Sequence, residues 1–235
     1  LILMSKIVKT ADPDTIAAEM IANVIKSNPK AVIGLATGST PINIYKKLIE
    51  MKLDWSSIVT FNLDEYIGLS KDHQQSYYSF MQENLFKHVN INTKNINFLD
   101  GLAKNIQEET KRYEELIKNH PIDIQLLGVG SNGHIAFNEP GSPKNSMSRK
   151  VALTEQTIKD NSRFFTKDEV QPTEALTMGI QTIMNAKQVI LVAKGAGKTQ
   201  AIKQALHGVI SEECPASFLQ KHENCTFILD LEVQV

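Results

Sequence analysis

Short apolar runs alternate with helical patterns along this chain, and that alternation constrains its fold more than any other feature. A run too short for a buried helix, followed by an amphipathic stretch and a second such run, reads as strand, helix, strand. Repeated, that unit builds a mostly parallel sheet covered by helices. The runs at 31–36, 58–63, 96–99, 122–127, 189–193 and 226–229 are the expected strands. Asp12-Pro13 supplies an N-cap and a first helical position, opening a helix with Ile16, Met20 and Val24 on one face. Further helices are expected at 41–50, 77–89, 104–119, 174–185 and 198–206, with Ile106, Tyr113 and Leu116 turned inward on the 104–119 helix. The expected fold is α/β and Rossmann-like, a mostly parallel sheet with helices on both faces. Strand order cannot be read from this pattern.

Residues 1–235 read as one domain, without repeats, low-complexity stretches or a linker. Met4 is not first, so Leu1 to Leu3 are read as extraneous or as an upstream extension. The least regular stretch, 140–150, clusters Gly, Ser, Pro and Asn and suits a mobile loop. A formal net charge of −1 gives no global field for nucleic acid or an anionic membrane. No apolar run approaches the ~20 residues of a membrane span. Two lone cysteines, Cys214 and Cys225, suit a reducing cytoplasm better than a disulfide framework.

Four groups of residues follow expected strands or sit beside aromatics, and each can carry chemistry. In Gly34-Leu35-Ala36-Thr37-Gly38-Ser39-Thr40-Pro41 a strand ends, glycine turns the chain and proline opens a helix. Free N–H groups at such a helix start bind anions; the plainer reading is a turn capped by Ser or Thr. In Phe61-Asn62-Leu63-Asp64-Glu65-Tyr66, a carboxylate shielded by aromatics is placed to act as a base, and Asp64 and Glu65 should face different ways. In the 128–141 loop, glycines flank His134, and Asn132 and Glu139 can both polarise its ring. Its histidine spacing is a poor match to a metal site. Arg163 and Lys198 are cations that a phosphate would satisfy, with Lys194 competing for the lysine role. In a parallel sheet the strand ends share one edge, so one cleft would hold an anion cradle, a base and a histidine. That set suits proton transfers on a phosphorylated metabolite.

The segments 35–41, 61–66, 133–140 and 161–165 strongly resemble the glucosamine-6-phosphate deaminase family, in order and over nearly the whole chain. The resemblance implies conversion of D-glucosamine 6-phosphate and water to D-fructose 6-phosphate and ammonium, with no metal or organic cofactor. It implies that His134 opens the sugar ring, that Glu139 and Asn132 tune His134, and that Asp64 moves the C2 proton to C1. It implies that Gly38, Ser39, Thr40, Arg163 and Lys198 hold the phosphate. Some members have aspartate at the position of Asn132. Larger members are hexamers activated by N-acetylglucosamine 6-phosphate. Here the chain stops soon after its last expected strand, and only Arg149 matches their effector residues, which implies a monomer or small homo-oligomer without activation. The alternatives are a 6-phosphogluconolactonase-like hydrolase on a related fold and, lower, a sugar-phosphate-binding sensor domain.

Overall fold

A computed structural model describes residues 5–235; the reading of Leu1 to Leu3 lies outside them. In chain order the elements are β1 (Lys6–Lys9), α1 (Pro13–Ser27), β2 (Val32–Leu35), α2 (Ile42–Glu50), β3 (Val59–Asn62), β4 (Asp64–Tyr66), α3 (Tyr77–Asn84), β5 (Ile96–Asn97) and α4 (Ile106–Asn119). There follow β6 (Ile124–Leu127), β7 (Arg149–Ala152), α5 (Glu155–Asn161), β8 (Glu174–Thr177), α6 (Ile180–Met184), β9 (Val189–Ala193), α7 (Thr199–His207) and β10 (Cys225–Leu229). Seven strands form one sheet in the order β1-β10-β9-β6-β2-β3-β5, all pairs parallel. Interior strands of a parallel sheet are covered on both faces and need continuous apolar sequence. β9 (VILVA) and β10 (CTFIL) are buried at every position, whereas edge strand β1 (KIVK) is largely exposed.

From β1 to β5 the chain moves one way across the sheet, and from β6 to β10 it moves the other. Right-handed crossovers then place α1 to α3 on one face and α4, α6 and α7 on the opposite face. The direction reverses between adjacent β2 and β6. At such a switch point the loops leaving two neighbouring strands diverge and open a crevice.

Asp12 caps α1 through the Thr15 N–H at 3.2 Å, as the sequence predicts. Its inward face is instead Ala17, Ala18, Ile21, Ala22 and Ile25, with Ile16, Met20 and Val24 only flanking. Small alanines let the helix lie close to the sheet. On α4, Tyr113 and Ile117 are buried, with Ile106 and Leu116 at the margin.

Besides the unexpected β1, β4 and α5, two regions differ from the expected pattern. Glu174–Thr177 is strand β8, not the start of a helix; the helix is only Ile180–Met184. Arg149–Ala152, at the end of the supposed mobile loop, is strand β7. β8 pairs antiparallel with both β4 and β7, forming a second, three-stranded sheet. Partners distant in sequence override the helical propensity of Glu-Ala-Leu there. The stretch before β7 is pinned, with Gly141 N–H donating to Glu212 O at 2.8 Å and Lys144 N–H to the Glu212 carboxylate at 2.6 Å. Leu63 joins the sheets: its N–H donates to Leu35 O at 3.2 Å and its carbonyl accepts from Met178 N at 2.8 Å.

Candidate active site

A cavity of about 500 Å³ opens at the β2/β6 switch point, lined by the loops after both strands together with Asp64, Tyr77, Phe137 and Lys198. The 36–41 turn forms one wall. Gly38 adopts φ +102, a left-handed conformation natural only to glycine. Buried Tyr45 fixes the end of β2, accepting from Ala36 N at 3.0 Å and donating back to Ala36 O. The start of α2 carries no side-chain cap, so the capped-turn reading fails. Among the described residues, the N–H groups of Gly38, Ser39 and Thr40 have no protein partner. Free donors at a helix start, with two hydroxyls beside them, are chemically suited to an anion, as the sequence leads one to expect.

Asp64 and Glu65 begin β4 and point to opposite faces, as successive strand residues must. Glu65 turns away from the cavity and accepts from the N–H groups of Tyr66 (2.9 Å), Tyr77 (2.9 Å) and Tyr78 (3.1 Å). It therefore holds the start of α3 beside β4. Burial raises its pKa to about 7, against those three donors. Asp64 lines the cavity and is buried; burial first, and the Glu65 charge second, push its pKa up to about 8. A carboxyl so placed is a proton carrier near neutrality rather than a permanent anion.

His134 sits in a folded-back loop after β6. Gly130 N–H donates to His134 O and Gly133 N–H to Gly130 O, both at 2.9 Å, while Gly133 takes φ +87. A Cβ on Gly130 would lie 2.0 Å from His134 Cε1, so only glycine admits the ring. His134 Nδ1 lies 2.7 Å from Asn132 Oδ1, which also accepts the His134 N–H at 3.1 Å. Asn132 Nδ2 donates to Glu139 Oε2 at 2.9 Å. This network assigns the tautomer: Nδ1 carries hydrogen and Nε2 keeps its lone pair. Glu139 Oε1 also stands 3.6 Å from Nδ1. Burial lowers the His134 pKa, opposed by Glu139 and aided by Lys198, which favours neutral imidazole. Asn138, fully buried, ties the loop to the second sheet by donating to Ile135 O and Met178 O at 2.9 Å and accepting from Arg149 at 2.7 Å.

Lys198 lies in the turn before α7, lines the cavity and donates to Val129 O at 2.6 Å; partial burial lowers its pKa. Lys194 is committed elsewhere, bonded to both Asp14 oxygens at 3.0 Å. Arg163 departs from expectation: it is exposed in the turn after α5, lies over the Phe164 ring at 4.6 Å and does not line the cavity. Of the nine expected residues, the cavity wall holds Asp64, His134, Gly38, Ser39, Thr40 and Lys198, with Asn132 and Glu139 directly behind His134. Tyr77 and Phe137 were not singled out, although both line the cavity and their rings stack at 6.1 Å. Phe137 lies inside the 133–140 segment but carries no reactive group, and Tyr77 lies well beyond the 61–66 segment, so neither position is marked by its chemistry. Among the described residues, no group of three His, Cys, Asp or Glu side chains is arranged to hold a metal ion, and no helix is long and apolar enough to cross a membrane.

Residues 11–228 match the family model described as glucosamine-6-phosphate isomerases/6-phosphogluconolactonase. The chain is 50% identical over 219 residues to a glucosamine-6-phosphate deaminase of Clostridium novyi, covering 91% of each chain. It is 48% identical over 230 residues to glucosamine-6-phosphate deaminase 1 of Giardia intestinalis, covering 95% of this chain and 86% of that one. Among solved structures, a monomeric glucosamine-6-phosphate deaminase superposes with TM-score 0.92 at 41% identity over 97% of this chain and 98% of its own. A 6-phosphogluconolactonase of Thermotoga maritima superposes with TM-score 0.78 at 22% identity, over 96% of this chain and 99% of its own, a likeness of fold alone.

Proposed function

This chain belongs to the glucosamine-6-phosphate isomerase/6-phosphogluconolactonase family, and we infer that it is a glucosamine-6-phosphate deaminase, an enzyme converting D-glucosamine 6-phosphate and water to D-fructose 6-phosphate and ammonium. The observation that carries this reading is one cavity holding a buried carboxyl at Asp64, a neutral imidazole at His134 and a free N–H cradle at 38–40.

The cradle and Lys198 take the phosphate, a group remote from the reacting carbons. Its binding energy can then position C1 and C2 between the two proton carriers. His134 Nε2 accepts the proton of the anomeric hydroxyl and returns it to the ring oxygen, breaking the C1–O5 bond. Glu139, through Asn132 and directly, stabilises the ring while it is charged. Asp64 removes the C2 proton from the open aldehyde while the C2 ammonium gives a proton to O1, forming an enolamine, and Asp64 then returns its proton at C1. Water then adds at C2 of the resulting ketimine and ammonia leaves. The substrate ammonium beside Asp64 counters burial and favours its ionised form.

Both sheets supply the site, so residues 1–235 act as one domain in this reading. Two free, buried cysteines suit a cytoplasmic hydrolase of amino-sugar breakdown, including that of N-acetylglucosamine. The test is ammonium and fructose 6-phosphate formation from glucosamine 6-phosphate. Hydrolysis of a 6-phosphogluconolactone instead, or binding without turnover, would overturn the reading. His134→Gln should impair cyclic substrate more than an open-chain one.

A further inference from the structure

The loop that carries His134 and Glu139 is gripped from outside by a hook of chain, 208–217, that follows α7. Bonds within the hook fix its shape. Ser211 N–H donates to Ser217 Oγ at 2.9 Å, Ser217 Oγ donates to Ser211 O at 3.1 Å, and Cys214 N–H donates to Ser211 O at 3.0 Å. Ser217 is fully buried, so this exchange is shielded from water. At the middle of the His134 loop, Ala216 N–H donates to Gly133 O at 2.9 Å, and Cys214 Sγ fills the space beside Gly133, where a Cβ would lie 2.6 Å from the sulfur. Beyond the far end of the loop, Glu212 holds twice. Its carbonyl accepts the Gly141 N–H at 2.8 Å and its carboxylate the Lys144 N–H at 2.6 Å.

Glu139 lies between these contacts. Glu139-Pro140-Gly141-Ser142 is a turn with proline second and glycine third, Gly141 at φ +95, closed by Ser142 N–H on Glu139 O at 3.0 Å. The third residue of the turn is the one that Glu212 O holds. The first is the residue whose carboxylate stands 3.6 Å from His134 Nδ1 and accepts from Asn132 at 2.9 Å. The stretch that ends in the hook begins at Lys198, which donates to Val129 O at 2.6 Å just after β6. One piece of chain, 198–216, therefore holds the His134 loop near its start, at its middle and behind Glu139.

We propose that Glu212 is a positioning residue for proton transfer at His134, holding the 139–144 turn so that the Glu139 carboxylate stays against the imidazole. Glu212 is exposed and does not line the cavity, so it acts through Glu139 and touches no substrate. The charged groups that face His134 are Glu139, which favours its protonation, and Lys198, which opposes it alongside burial. A carboxylate's hold on an imidazolium weakens with distance. A turn that relaxes away from His134 would leave burial and Lys198 less opposed, so the protonated ring would cost more to form. The proposal rests on Glu139 as the partner of His134 and deepens the reading of that site.

The experiment is a double-mutant cycle between Glu212 and Glu139, read by steady-state kinetics on glucosamine 6-phosphate and by NMR titration of the His134 imidazole. Glu212→Ala should lower kcat about 3- to 10-fold, the usual worth of one hydrogen bond, leave KM within twofold and move the His134 pKa down. Glu212→Gln keeps an acceptor for the Lys144 N–H and should restore most of both. Glu213→Ala removes the same charge from the neighbouring exposed position and should change neither. In a Glu139→Gln background, Glu212→Ala should add nothing. A loss that Glu213→Ala reproduces, or that Glu212→Gln leaves uncorrected, would reduce Glu212 to a distant charge and overturn the proposal. A loss that persists without the Glu139 carboxylate would overturn it too, as would unchanged kcat and pKa in Glu212→Ala where Glu139→Gln shifts both. Unchanged kcat and pKa in Glu139→Gln itself would overturn the pairing of Glu139 with His134 and the proposal together, a result distinct from the others.

Discussion

Two neighbouring carboxylates, Asp64 and Glu65, receive opposite tasks from the strand that carries them. Glu65 faces three backbone donors and organises α3; Asp64 faces the cavity with its pKa lifted to about 8. A base works only when ionised, so kcat/KM should rise with pH through about 8, where half of the free-enzyme carboxyl is ionised, and level off above it. Asp64→Asn should cut turnover by about 10²–10⁴, and near-normal turnover would move the role elsewhere. Glu65→Gln removes the like charge that adds to burial in raising Asp64. The rising limb should therefore shift to lower pH, while the fold loses about 1 kcal/mol with one backbone donor left facing an amide. A limb that stays put in Glu65→Gln would show that the titrating base is not Asp64. At His134 the acceptor is an uncharged amide whose own N–H₂ satisfies Glu139 at 2.9 Å. Asn132→Asp sets a second carboxylate against the ring and opposite Glu139. The added charge should raise the His134 pKa, now depressed by burial. An NMR titration of the imidazole that did not move upward would sink the relay.

The loop after β6 shows how one element fixes a functional atom. Gly130 leaves the space in which the His134 ring lies, since a Cβ there would fall 2.0 Å from Cε1. Gly130→Ala should displace the ring and lower turnover about 10²-fold, while overpacking costs the fold about 1–3 kcal/mol. Turnover measured beside a denaturant melt separates the two, and wild-type turnover in this variant would refute the placement. The strands at 32–35, 124–127, 189–193 and 225–229 were legible because interior parallel strands require unbroken apolar sequence. The cavity residues at 38–40, 64, 134 and 198 were legible because they follow such strands directly or after a short turn. β7 and β8 were not, since their pairing joins residues far apart and their composition favours helix or loop. Edge strand β1 escaped because KIVK is short, polar at both ends and half-exposed. Arg163, expected at the phosphate from its motif, stands outside the cavity, because no local pattern encodes where an exposed turn rests.

At the scale of the molecule, the remaining question is whether sites in different copies are coupled. Arg149 is the one residue resembling the effector site of the larger members, and its guanidinium is half-buried and bonded to Asn138 Oδ1 at 2.7 Å. Asn138 in turn holds Ile135 O and Met178 O, so Arg149 braces the His134 loop against the second sheet. A side chain so engaged offers little to an anionic effector without loosening that loop. The relative that superposes with TM-score 0.92 is itself monomeric. Cooperativity needs coupled sites and two global states with different affinity for the ligand. We therefore expect a monomer with hyperbolic saturation by glucosamine 6-phosphate, unchanged by N-acetylglucosamine 6-phosphate. Arg149→Ala should lower thermal stability and kcat together, because removing one partner leaves Asn138 Oδ1 buried and unpaired. Light scattering that found a hexamer, with a left shift of the saturation curve on adding that sugar, would overturn the expectation. An Arg149→Ala variant that kept full stability and lost only such a shift would return Arg149 to an effector role.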